Sequence, residues 1–153
     1  LGLAVSIAVL APNLLLLVFP PRTRPPATEV PWPLSWLERG GQALCVVVPA
    51  ITATGQPVWP VAAIVAAAIV AYYALWTRYL TLDRSWAALY RPALGIPVPM
   101  AILPVVAFAA TAVWLNAPWV AVAAGILAAG HIPSSAIIAR RLAETSSSAA
   151  TPE

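Results

Sequence analysis

The sequence predicts an all-α polytopic membrane protein: a bundle of five transmembrane helices, N-terminus outside and C-terminus cytoplasmic, plus a short interfacial helix. Three observations carry that prediction. The 153 residues are 61% hydrophobic and only 8% charged, against about 25% charged in a soluble domain. A water-soluble fold built from them would expose apolar patches large enough to aggregate. Five apolar stretches, about Leu1–Phe19, Leu37–Thr54, Val61–Trp76, Pro99–Leu115 and Pro118–Ile138, approach the roughly 20 residues that a hydrocarbon core requires. Finally, arginine occupies alternate connections: Arg22, Arg24 and Arg39 in the first, Arg78, Arg84 and Arg91 in the third, Arg140 and Arg141 after the last. The second and fourth connections, Gly55–Pro60 and Asn116–Ala117, are uncharged. Cationic loops are retained on the cytoplasmic side, so the alternation sets the orientation.

Span one lacks a basic leader and a small-residue cleavage site before Pro20, and reads as a span rather than a signal peptide. The loop Pro20–Trp36 holds Pro20, Pro21, Pro25, Pro26, Pro31 and Pro33 and reads as a stiff, extended spacer. Tryptophans mark the span ends: Trp32 and Trp36, Trp59, Trp76 and Trp86, Trp114 and Trp119, where an indole keeps its ring in lipid and its N–H wet. In the third loop Asp83 is placed to cap a helix from Arg84 to Tyr90, with Trp86 and Leu89 facing the acyl region and Arg84 and Arg91 reaching phosphates. Asn116-Ala117-Pro118 is a tight turn, Asn suiting the end of one helix and Pro the first turn of the next. Residues 1–143 thus form one transmembrane helical domain, and the Ser- and Thr-rich residues 144–153 a disordered cytoplasmic tail.

The net charge of +3 is dispersed over short loops. It forms no patch for nucleic acid, so the expected contacts are membrane lipids, with anionic headgroups at the Arg loops. All eight cations are Arg and alanine is abundant, which resembles high-GC bacterial usage and suggests a bacterial inner (plasma) membrane. The single cysteine, Cys45, forms no internal disulfide and lies among apolar residues that silence a thiol. No phosphate-binding loop, dinucleotide fingerprint, zinc-protease helix or kinase motif is present. Neither cofactor nor metal site is expected, and an enzyme is not indicated.

Polar groups inside spans are the functional candidates. Asn13, Glu38, Gln42, His131 and Ser135 fall at one inner-leaflet depth on three spans and form the expected polar cluster. Glu38 and Gln42 lie one helical turn apart, as do His131 and Ser135, so each pair shares a face. The lone His131, without a second ligand at helical spacing, does not suggest a metal. A carboxylate beside an imidazole would handle protons. The plainer alternatives are Glu38 capping its helix beside Arg39, and His131 bonding a backbone carbonyl. Pro12, Pro49, Pro104 and Pro133 free the carbonyls of Ala8, Cys45, Met100 and Ala129, available to line a path or to be bonded by a neighbour. Small residues at Ala121, Gly125 and Ala129 form a stripe expected to pack tightly, within the chain or in a homo-oligomer.

These features leave two functional classes. The first is a non-enzymatic subunit or accessory of a membrane assembly, with a membrane-protein partner. The second is an oligomeric small-solute or proton-coupled transporter or channel. A polar cavity joining the cluster would favour the second.

Overall fold

The computed structural model describes residues 1–93 and 95–149 and is all-helical, with no strand among the described residues. The N-terminal segment is α1 (Gly2–Leu10), a 3-10 turn (Ala11–Leu14) and α2 (Leu15–Val18). Pro12 sits inside that turn, where its missing N–H and ring tighten the helix. Then follow α3 (Trp32–Ile51), α4 (Trp59–Thr81), α5 (Trp86–Tyr90), α6 (Pro99–Trp114) and α7 (Pro118–Ala149). Proline occupies the first turn of α3, α4 and α6, where the absent N–H costs nothing.

Two helices are long and apolar enough to cross a membrane, α4 and α7. The others expected to span are shorter or more polar. Residues 2–18 are apolar but broken at Pro12, α6 has 16 residues, and the 20 residues of α3 include Glu38 and Arg39. The outer surface is nonetheless apolar. Leu17, Ile51, Val70 and Trp59 lie exposed, and most of α4 faces outward.

The most extensive pairing is α3 on α7, followed by α4 on α6 and α6 on α7; α1 leans on α3. Hydrogen bonds tie the connections together in two groups. Gly55 N–H donates to Leu115 O and Val58 N–H to Trp114 O, joining the two uncharged connections at one end of α4. Arg22 N–H donates to Arg84 O, Tyr79 O–H to Phe19 O and Trp86 N–H to Thr23 Oγ1, joining the two arginine loops at the other. The α6–α7 turn is a Schellman closure: Asn116 takes φ +47, Ala117 N–H reaches Ala112 O and Asn116 N–H reaches Val113 O.

Three local expectations change. The α5 cap is Ser85, whose Oγ accepts from Ala88 N–H, while Asp83 accepts from the Ser85 hydroxyl and N–H. Arg84 is left outside the helix at φ +48, with its guanidinium 5.7 Å from the centre of the Phe19 ring. Two tryptophans are interior: Trp76 and Trp114 are buried, and among the described residues the Trp114 indole N–H finds no hydrogen-bond partner. Helix α7 also continues to Ala149 where a disordered tail is expected. Thr145 and Ser146 hydroxyls bond the carbonyls one turn back and Arg141 pairs with Glu144, so local bonds sustain helix that composition disfavours. Residues 150–153 lie outside the described residues.

Candidate functional site

Helices α3 and α7 cross with glycine on both sides. A side chain on Gly41 would collide with the Leu127 backbone, and one on Gly130 with the backbone of Leu37 and Glu38. The two helices therefore pack backbone against backbone, as small residues permit. Glu38 precedes Gly41 by one turn and His131 follows Gly130, so the crossing presses their side chains together. His131 Nδ1 stands 2.7 Å from Glu38 Oε1, both side chains about one-quarter exposed. With Glu38 ionised, the carboxylate can only accept, so the contact calls for the tautomer that carries its proton on Nδ1.

Beside the pair lies an open cavity of about 340 Å³. Its polar lining includes Asn13, Gln42, Tyr72, Tyr90, His131 and Ser135; Val9, Leu16, Trp76, Leu89, Met100 and Phe108 are among its apolar walls. Four of the five expected cluster residues thus line one space, and the fifth, Glu38, holds His131 without itself lining it. Asn13 stands at the exposed rim, turned there by the Pro12 turn, with its Oδ1 accepting from Tyr72 O–H at 3.1 Å. Gln42 shares its α3 face with Glu38. Ser135 is buried, and Ser134 beside it is buried with an unbonded hydroxyl.

The lid-like α5 contributes Leu89 and Tyr90, so Leu89 turns into the cavity rather than outward. Burial, and then the Glu38 carboxylate, push the Tyr90 phenol up to about 12. In the same loop the Ser85 hydroxyl holds the Asp83 carboxyl below its usual range. Among the described residues no group of three or more His, Cys, Asp or Glu could hold a metal ion.

The freed carbonyls divide. Cys45 O, released by Pro49, accepts from the buried Ser6 hydroxyl at 2.7 Å and is structural. Met100 and Pro104 both stand in the cavity wall. Cys45 itself is wholly buried. The small-residue stripe differs from expectation: Ala121, Gly125 and Ala129 all face outward, and a side chain added at Gly125 would meet nothing within 4 Å. The inward face of α7 is instead Ala123, Ala124, Leu127 and Gly130.

Sequence reasoning passed over Ser6, Tyr72 and Tyr90, and placed Trp76 only at a span end. Tyr72 and Trp76 lie one turn apart on α4, a spacing that marks a shared face, but their aromatic character reads equally as a membrane-interface signature. Set against protein-family models, curated proteins and solved structures, the chain matches none of them.

Proposed function

We propose that this chain is a multi-pass membrane protein that takes up a small, mostly apolar solute in the cavity beside the Glu38–His131 pair, as part of a solute-handling or proton-coupled transport system. The observation that carries the reading is the convergence of Asn13, Gln42, His131 and Ser135 on one cavity in a chain with few polar groups to spend. The volume lies within the range of small-molecule sites, and such sites combine apolar walls with a few directed polar groups. A chain that acted only by packing would gain nothing from leaving such groups around an open space.

The membrane placement rests on α4 and α7, on the apolar outer surface, and on the grouping of the arginine loops at one end with the uncharged connections at the other. In this reading the shorter α6 and the broken N-terminal segment complete the bundle, and the arginine end faces the cytoplasm.

The test is saturable one-to-one binding of para-hexylanisole, an apolar aromatic ether, to the purified protein in lipid nanodiscs. Binding should vanish in Ala101→Phe, which fills the cavity from its wall. Absence of saturable binding to the wild type refutes the solute site. The subunit or accessory reading then takes its place, favoured by the outward stripe Ala121, Gly125 and Ala129, which is left uncovered by the described residues.

A further inference from the structure

Granting the solute site just proposed, we infer that its ligand carries a hydroxyl group, a phenol or alcohol on an apolar body, which bonds His131 Nε2. The argument starts from the imidazole. Glu38 takes Nδ1 and does not line the cavity, whereas His131 does, and the inferred bond places its Nε2 on the cavity side. Among the described residues no protein group bonds Nε2. With Nδ1 carrying the proton, Nε2 of the neutral ring is a lone-pair acceptor. When the ring binds a second proton, Nε2–H becomes a donor, and the carboxylate compensates the charge.

A ligand atom at Nε2 must therefore suit both an acceptor and a donor. A hydroxyl does so by rotating. A carbonyl or ether oxygen suits only the protonated ring, and an ammonium suits only the neutral one. The charge of the walls points the same way. The titratable groups facing the pair are Tyr90 from α5 and, across the cavity, Tyr72 from α4; α1 and α6 contribute no Arg, Asp or Glu to the lining. An anionic ligand would enter near the Glu38 carboxylate with no cation on the lining, and a cationic one would find only a carboxylate already bonded to His131 and set off the lining, both costly in a mostly apolar site. The remaining polar lining suits the same group: Asn13 has its Oδ1 occupied by Tyr72, leaving its NH₂ to donate to a hydroxyl oxygen. Tyr72, Trp76, Tyr90 and Phe108 supply aromatic walls, which favours a ring as the apolar body.

The experiment compares para-hexylphenol with its methyl ether, para-hexylanisole, in nanodiscs at about pH 8.5, where a phenol is still un-ionised. The two probes differ in the hydroxyl donor and in one added methyl, and the His131→Phe comparison separates the two. The phenol should bind about tenfold tighter, on the scale of one hydrogen bond to a buried acceptor. In His131→Phe the preference at pH ~8.5 should fall to about one while the ether still binds, which shows that the cavity survives. If His131→Phe loses ether binding as well, Glu38→Leu decides. It removes the carboxylate that holds the proton on Nδ1, and the preference should drop about threefold or more. A wild-type preference under about twofold, or one unchanged in the variants, overturns the inference while leaving the solute site standing. Failure of both probes to bind the wild type overturns the solute site itself.

Discussion

Replacing Gly130 with alanine should separate α3 from α7 and break the Glu38–His131 pair. The added methyl would stand 2.6 Å from the Leu37 carbonyl carbon and 2.7 Å from Glu38 Cα, where ordinary contact begins at 3.4 Å. Both atoms are backbone and cannot swing aside, so the helices must part by about 1 Å, an overpacking that costs about 1–3 kcal/mol. The same movement takes the 2.7 Å bond outside hydrogen-bonding range. Because both partners are a quarter exposed, its loss adds no more than about 1 kcal/mol. At roughly 2–4 °C per kcal/mol, thermal unfolding in nanodiscs should fall by about 2–16 °C. The control is Gly125→Ala. That methyl meets nothing, and alanine exceeds glycine by up to ~1 kcal/mol in helix propensity, so Tm should hold or rise slightly. If Gly130→Ala melts with the wild type, or Gly125→Ala loses as much, the backbone-to-backbone crossing is wrong.

Three further outcomes follow from separate parts of the molecule. Ser6→Ala removes the donor to Cys45 O, a buried carbonyl that Pro49 has deprived of its helical bond; destabilisation of about 1–3 kcal/mol is expected, and an unchanged melting curve would mean another donor serves it. Gln56→Cys and Ser146→Cys should react with an impermeant maleimide from opposite faces of an oriented membrane, Cys45 staying silent because it is wholly buried; labelling of both from one face rules out the arginine-loop topology. The Tyr90 phenol, raised from 10.0 to about 12, favours the folded state fully below pH 10 and loses that contribution as pH climbs through about 12. Wild type should therefore lose more stability across that window than Tyr90→Phe, and parallel alkaline unfolding curves would contradict the burial of the ring.

Composition alone carried the helical class and the alternation of charged and uncharged connections, because both follow from the cost of charge in an apolar solvent and from local runs of residues. The 3.6-residue period similarly placed Glu38 with Gln42 and His131 with Ser135, since neighbours one turn apart share a face whatever lies opposite. Which face turns inward was not legible. From Pro118 to Gly130 helix α7 is apolar around its whole circumference, so its pattern there carries no distinction between inside and outside. The sequence accordingly pointed to Ala121, Gly125 and Ala129, whereas the packing face is Leu127 and Gly130, rotated around the same helix. The partnership of Glu38 with His131 spans 93 residues of chain and exists because two glycines let α3 and α7 approach to backbone contact. The cavity is equally tertiary. Trp76 read as an interface aromatic along the chain, and it becomes a cavity wall with Tyr72 and Tyr90 only when α4, α5 and α7 assemble around a space that none of them encodes alone.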